Sequence, residues 1–327
     1  MSVAQWLTVS IIPAIVAWLA IVALLRSPIA KRLADHPNER SLHETATPRI
    51  GGLGIMAGAL PLAFAHATPA MLAILGAALF LCVVSLADDI RSLPVHVRLF
   101  AHVLAAAIAL FAASGGEPAA MNLVETMVAL FAIVWMTNLY NFMDGSDGLA
   151  GGMAAIGFGA FTVAAAQGGH YAHAAVCAVF ASASLGFRGP NFPPARVFMG
   201  DAGSVPLGFL AGALGFAGWK NGAWPLFFPV VVFAPFIADA TLTLARRVIR
   251  REPFWKAHRT HGYQRLVLAG WSRRRLAASA YALMAVSAAG AFAANAAGSA
   301  VRFGILLALT SVYVLMFIAI ENRVRVS

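Results

Sequence analysis

Asp144 and Asp147 stand three residues apart in NLYNFMDGSDGLAGG, residues 138–152, directly after the uncharged run MVALFAIVWMT. Spaced at i and i+3, the two carboxylates share one face of a helical turn. Gly145 and Gly148 remove side chains that would block the close approach of a phosphate, and Asn138 and Asn141 add neutral donors and acceptors one turn earlier. A second doublet, Asp88 and Asp89, ends another apolar run. Paired carboxylates repel each other and ask for a counter-charge more concentrated than a monovalent side chain. Magnesium is such an ion: it is hard, takes oxygen ligands and is usually held by one or two carboxylates plus phosphate oxygens. Manganese is an admissible substitute. No thiolate or His-Glu cluster favours zinc.

Three further segments carry polar chemistry. In PNFPPARVFMGDAGS, residues 190–204, Asp201 lies between glycines where a helix is about to begin. That position suits an N-cap aspartate, and it also aims backbone N–H groups and a positive dipole end at an incoming anion. The last long loop gathers Arg250, Arg251, Lys256, His258, Arg259, His261 and Arg265 with the aromatics Phe254, Trp255 and Tyr263. Such a makeup suits gripping a pyrophosphate and stacking a base. Near the N-terminus, DHPNERSLHETATPRIGG places Arg40, His43 and Arg49 ahead of Gly51 and Gly52, a similar anion-binding composition.

The elements that must position these residues are membrane helices. With 61% hydrophobic and 11% charged residues in 327 and a mean hydropathy of +0.80, the chain cannot divide into a soluble core and a polar surface. An all-α polytopic membrane protein is expected, with about eleven (10–11) spans of roughly 20 residues each. They fall at about 4–26, 51–67, 69–87, 97–114, 122–140, 149–167, 171–187, 204–219, 224–245, 276–296 and 300–320. The first lacks a basic flank and an A-x-A cleavage site, so it reads as a retained span. No repeat or linker divides the chain, and residues 1–327 read as one domain. Cys82 and Cys177 both lie in apolar runs and suggest neither a disulfide framework nor a metal site.

Orientation follows from Lys and Arg, which accumulate in cytoplasmic loops. With the N-terminus periplasmic and the C-terminus cytoplasmic, only Lys220 and Arg302 fall on the outer side. The net charge of +10 then belongs to the cytoplasmic face, where each basic residue also gains about 1 kcal/mol from anionic lipid. Nucleic acid is not an expected partner, because no soluble domain presents a groove reader. This topology, set without reference to any acid, brings Asp88, Asp89, Asp144, Asp147, Asp201 and Asp239 to one depth on one side. Any one of them could be a solvated helix end. Six together, at about 2.5–3.5 kcal/mol each toward the bilayer centre and less near the interface, point to a shared cation and a functional face.

DHPNERSLH…TPRIGG, LADDIRSL, NLYNFMDGSDGLAGG, NFPPARVFMGDAGS, PFIADATLTLARR and HRTHGYQRL occur in this order over residues 35 to about 270. The set resembles the polyprenyl-phosphate N-acetylhexosamine-1-phosphate transferases of glycosyltransferase family 4. These include phospho-N-acetylmuramoyl-pentapeptide translocase and the enzymes that initiate O-antigen and teichoic-acid synthesis. The resemblance implies that Asp88 and Asp89 form the pair near the lipid phosphate, that Asn141, Asp144 and Asp147 form the N-x-x-D-G-x-D-G segment, and that Asp201 ligates magnesium. It places Asn191 in the active site and Phe198 beside the nucleotide base. His261 matches the first histidine of an H-x-H-H element, whereas Tyr263 and Gln264 replace the other two and His258 is additional. That form is similar to the branch that starts lipopolysaccharide O-antigens with deoxy-N-acetyl sugars.

The implied reaction moves an N-acetylhexosamine 1-phosphate, of GlcNAc or a deoxy sugar such as FucNAc or QuiNAc, from a UDP-N-acetyl sugar to undecaprenyl phosphate in the bacterial inner membrane, releasing UMP. The acceptor monoester, with a second pKa near 6, is already largely dianionic, so positioning and charge neutralisation matter more than a strong base. Expected roles are metal binding for Asp201 and Asp147, metal or substrate positioning for Asp144 and Asp147, and orientation or deprotonation of the acceptor for Asp88, assisted by Asp89. Arg40, His43, Arg49, Asn138, Asn141, Asn191, Phe198, His258, His261 and Arg265 are expected to bind substrate, with Asp239 behind them. Direct displacement and a covalent aspartyl intermediate both fit, and a homodimer is compatible. A cation-coupled transporter would place acids at mid-bilayer in related half-repeats. A CDP-alcohol phosphotransferase would add spaced aspartates after Gly148, where AGGMAAIGFGAFTVAAA follows instead.

Overall fold

The computed structural model describes residues 1–37, 45–116, 121–253 and 258–323. Arg40, His43, Phe254, Trp255 and Lys256 lie outside them. The described residues form α1 (Val3–Leu25), α2 (Pro28–Arg32), a two-stranded antiparallel ribbon of β1 (Ala34–Asp35) and β2 (Thr47–Pro48), α3 (Gly51–His66), α4 (Pro69–Arg91), α5 (Val95–Ala113), α6 (Leu123–Phe142) and α7 (Leu149–Gln167). They continue with α8 (Tyr171–Asn191), α9 (Asp201–Lys220), α10 (Phe227–Val232), α11 (Ala234–Ile249), α12 (Gly262–Leu268), α13 (Arg273–Ala296) and α14 (Ser299–Arg323). The protein is an all-α, multi-pass membrane protein. Eight of these helices, α1, α4, α5, α6, α7, α9, α13 and α14, are long and apolar enough to cross a bilayer.

Helix starts follow local chemistry. Ser2 with Gln5 and Asn122 with Glu125 form reciprocal capping boxes at α1 and α6, and Thr68 caps α4 ahead of Pro69. Each expected span contains a helix, with one correction. The ninth, expected unbroken over 224–245, is split at Phe233 into α10 and α11. Pro235, in the first turn of α11, lacks the N–H that would continue the ladder and disfavours a helical predecessor.

The core is built around α9, which is buried along most of its length and packs against α4 and α6 as well as α3 and α5. A second group forms around α8, which packs against α1, α3 and α7. The approach of α3 to α9 requires glycine at the crossing, since a Cβ on Gly52 would lie 2.3 Å from the Gly203 backbone. Gly203 lies two residues after Asp201, so helix spacing at this crossing bears directly on the geometry of the site.

Candidate active site

The site forms where α9 begins. The chain ahead of it, residues 198–200, runs beside the segment leaving β2: Phe198 N–H donates to Pro48 O at 2.9 Å, Gly51 N–H to Phe198 O at 2.9 Å, and Gly52 N–H to Met199 O at 2.8 Å. This pairing brings Arg49 against the start of α9, where its Nη1 lies 3.4 Å from Asp89 Oδ1. The carboxylate of Asp89 is only 1% exposed, and its Oδ2 accepts the N–H of Ala202 at 3.3 Å. Sequence reasoning made Asp201 an N-cap facing an external anion. In the structure Gly200, at φ 75°, takes the cap position, Asp201 is the first helical residue, and the anion at the helix N-terminus is Asp89.

Asp201 Oδ2 lies 3.4 Å from Asn141 Nδ2, and Asn141 Oδ1 accepts the hydroxyl of Ser204 at 2.6 Å. Asp144, in the turn after α6, is within electrostatic range of both Asp201 and Asp89 and is approached by the Gly200 backbone. Burial first, then the carboxylates of Asp201 and Asp89, push the Asp144 carboxyl well above the usual carboxylate range. Asp88 stands beside this group, but its oxygens are engaged. Oδ1 accepts Leu93 N–H at 2.6 Å and Oδ2 takes Arg98 Nη1 at 2.9 Å. Among the described residues, Arg49 and Arg98 pair with Asp89 and Asp88 respectively, and neither pairs with Asp144 or Asp201.

An all-oxygen donor set with negative charge left over is the composition a hard divalent cation requires, so Asp144, Asp201 and Asn141 fit magnesium. Among the described residues no three His, Cys, Asp or Glu side chains form a ready-made cage. Magnesium characteristically uses few protein ligands and completes its shell with water and phosphate oxygens.

Several expected site residues are spent elsewhere. Asp147, expected on the metal, is 3% exposed; its Oδ2 accepts Ala195 N–H at 3.0 Å and lies 3.4 Å from Arg273 Nη1. It ties the 143–148 turn to the 192–198 loop and to α13. Asn191 does the same from the end of α8: Oδ1 accepts Gly148 N–H at 2.8 Å and Nδ2 donates to Val197 O at 2.8 Å. Replacing it with Asp removes the donor and strands the buried Val197 carbonyl. Asn191→Asp is expected to cost about 1–3 kcal/mol, read as a lowered unfolding temperature of the purified protein. Asn138 Nδ2 donates to Val134 O at 2.7 Å and its side chain also bonds His102 of α5. Phe198 is partly exposed at the rim, bridged in register to Arg49.

The basic loop is pinned by two acids. Asp239 of α11 accepts Gly262 N–H at 2.7 Å, Tyr263 N–H at 3.0 Å and the Thr243 hydroxyl at 3.2 Å, which fixes the start of α12. The His261 ring is buried and lies 3.8 Å from Asp239. Arg265, expected to neutralise a diphosphate, is buried and paired with Glu321 of α14. Arg246 and Arg250 converge on that same carboxylate at 2.5 and 2.7 Å. His258, expected to add positive charge, does not. Burial and its neighbours His261, Arg247 and Arg246 hold it down to about 4, so it is neutral near pH 7 and its Nδ1 meets the Thr260 hydroxyl at 3.0 Å. Sequence reasoning missed Arg98 and Glu321, whose partners lie on other helices, and Ser204, whose i+3 spacing from Asp201 was the one available signal.

The fold and site define a polytopic membrane protein with a carboxylate cluster at the head of its central helix. Residues 71–218, which span Asp88 to Asp201, match glycosyl transferase family 4. The chain is 30% identical over 284 residues, 78% of its length and 76% of the relative's, to an undecaprenyl-phosphate alpha-N-acetylglucosaminyl 1-phosphate transferase of Yersinia pestis. It is 29% identical over 287 residues, 80% of its length and 79% of the relative's, to a probable undecaprenyl-phosphate N-acetylglucosaminyl 1-phosphate transferase of Bacillus subtilis. A phospho-N-acetylmuramoyl-pentapeptide-transferase of Geobacillus kaustophilus is 35% identical over 161 residues, 48% of this chain and 47% of the relative. The protein belongs to glycosyl transferase family 4.

Proposed function

We propose that the protein transfers an N-acetylhexosamine 1-phosphate from a UDP-sugar to undecaprenyl phosphate, releasing UMP and starting a lipid-linked polysaccharide such as an O-antigen. The observation that carries this reading is the surplus of negative charge at the start of α9. Among the described residues, Asp144 and Asp201 have no paired guanidinium while Asp88 and Asp89 have one each. Such a cluster calls for a divalent cation and, through it, a phosphorylated substrate. Asp201 and Asp144 would hold magnesium, with Asn141 orienting Asp201; Asp147 shapes the turn instead. Bound there, the ion would offset the charge of the donor diphosphate. Arg98, fixed by Asp88 and with 38% of its side chain exposed, is available to the acceptor phosphate, which needs no strong base to be nucleophilic.

A half-open cleft with an almost wholly apolar lining supports a lipid acceptor. It lies between α11, α12, α13 and α14 and is lined by Leu149, Phe236, Leu242, Leu266, Leu283 and Met316, with Asp239 and Tyr263 in its wall. The Lys and Arg distribution supports a site on the cytoplasmic side of the bacterial inner membrane, with the N-terminus periplasmic. The names of the relatives make GlcNAc the first sugar to test, with FucNAc and QuiNAc suggested by the Tyr263-Gln264 departure.

Membranes carrying the protein, incubated with radiolabelled UDP-N-acetyl sugars, undecaprenyl phosphate and magnesium, should yield an organic-soluble labelled product. Its formation should be blocked by a tunicamycin-type inhibitor. Asp201→Asn should lower the rate by about 10²–10³-fold. A variant that transferred at the unmodified rate would remove Asp201 from the metal.

A further inference from the structure

Tyr263 was expected to stack a nucleobase, but its side chain is buried at 4% exposure and its hydroxyl reaches the turn that carries Asp144. The hydroxyl donates to Phe142 O at 3.1 Å and is also met by the Gly145 backbone. A Cβ on Gly145 would lie 2.0 Å from that oxygen, 3.1 Å from Cζ and 3.4 Å from Cε2. Gly145 therefore makes room for Tyr263, where sequence reasoning had it making room for a phosphate. At the other end of the turn, Tyr281 of α13 donates its hydroxyl to Gly148 O at 2.8 Å. Gly148 itself takes φ 76° to begin α7. The turn is thus held between two tyrosine hydroxyls, both from the C-terminal third of the chain and outside the family-matched residues.

We infer that Tyr263 is a positioning residue for the transfer reaction, fixing the Asp144 turn to the basic loop through its hydroxyl. The inference rests on the transferase reading. Its warrant is the connection at the tyrosine's other end. The Tyr263 and Gly262 N–H groups are both bound by Asp239. The His261 ring is stacked on Tyr263 at 6.0 Å and 14° and on Phe142 at 6.2 Å and 25°. Tyr263 therefore links the backbone at His261 to the backbone of the Asp144 turn. A buried tyrosine hydroxyl takes a hydrogen-bond partner, and which partner it takes decides what the side chain holds in place. This one ends on the backbone two residues before a site carboxylate, and small displacements of a reacting group are costly.

The test is a cycle of four proteins: unmodified, Tyr263→Phe, Gly145→Ala, and the double variant. Gly145 has no positive φ, so alanine there meets only the tyrosine oxygen as a severe clash. Tyr263→Phe should lower kcat about 10-fold with KM changed less than about 2-fold, and Gly145→Ala about 100-fold. The double variant should recover to the Tyr263→Phe level, because the oxygen that clashed is gone. Unfolding temperature is followed in parallel. Multiplicative losses in the double variant would overturn the inference, as would unfolding temperatures that fall while kcat stays unchanged. If the unmodified protein transfers no sugar phosphate, the transferase reading fails and the positioning role with it. Recovery of the unfolding temperature in the double variant would then still report the contact itself.

Discussion

Asp144→Asn is expected to cripple transfer while raising the unfolding temperature of the protein in magnesium-free buffer. Function and stability oppose each other here because Asp144 is held among like charges. Burial and the carboxylates of Asp201 and Asp89 raise its proton affinity in the folded state. A carboxyl raised on folding contributes stability that is complete below its unfolded pKa, about 4, and is lost as pH rises toward the folded value. At neutral pH, where the unfolded carboxyl is ionised, the fold's resistance to that ionisation lowers stability, and asparagine, which does not titrate, removes the penalty. With a chelator present, the unmodified protein should lose stability from about pH 4 upward more steeply than the variant. Saturating magnesium should close the gap, since an ion that binds only the folded state stabilises it. The rate should fall by about 10²–10³-fold. An Asp144→Asn protein less stable than the parent under chelation would mean that the carboxylates do not repel as their placement requires.

Arg49→Gln is expected to have the largest effect on stability. Its guanidinium is the one paired with Asp89 among the described residues, and the Asp89 carboxylate is almost wholly enclosed. Removing one partner of a buried pair costs about 3–5 kcal/mol. The lower end applies here, because a third of the Arg49 side chain is exposed. Adding Asp89→Asn should return most of that loss by removing the stranded charge, so thermal unfolding of the four combinations gives a coupling energy directly. Transfer activity should not return with the stability, since the double variant lacks both charges at the head of α9. Additive losses would show that Arg49 acts through the pairing of residues 48–52 with 198–200 instead of through its charge.

The all-α, multi-pass character and the neighbourhood of the site were legible in the sequence because hydropathy and Lys/Arg distribution are strong, nearly independent signals in a bilayer. The convergence of Asp88, Asp89, Asp144 and Asp201 followed from topology alone. How each carboxylate is used was not legible. Asp144 and Asp147 look equivalent in DGSDG, yet one faces Asp201 and the other is bound to Ala195 and Arg273. That outcome depends on the 192–198 loop, whose backbone donors carry no local sequence signature. Composition likewise overvalued the basic loop. Arg265 and His258 read as ligands by type, but Glu321, 56 residues beyond Arg265, claims the arginine, and enclosure among cations keeps the histidine neutral. The break between α10 and α11 was visible in Pro235 but obscured by the unbroken apolar run around it.

The contact of α3 with α9 through Gly52 and Gly203 has a consequence for how the protein meets its surroundings. The crossing lies next to Asp201 and leaves no slack for a methyl group, so a tilt between these helices is transmitted to the carboxylates with little loss. Acyl-chain length sets bilayer thickness and with it helix tilt, so transfer rates measured in vesicles of short and long acyl chains are expected to differ.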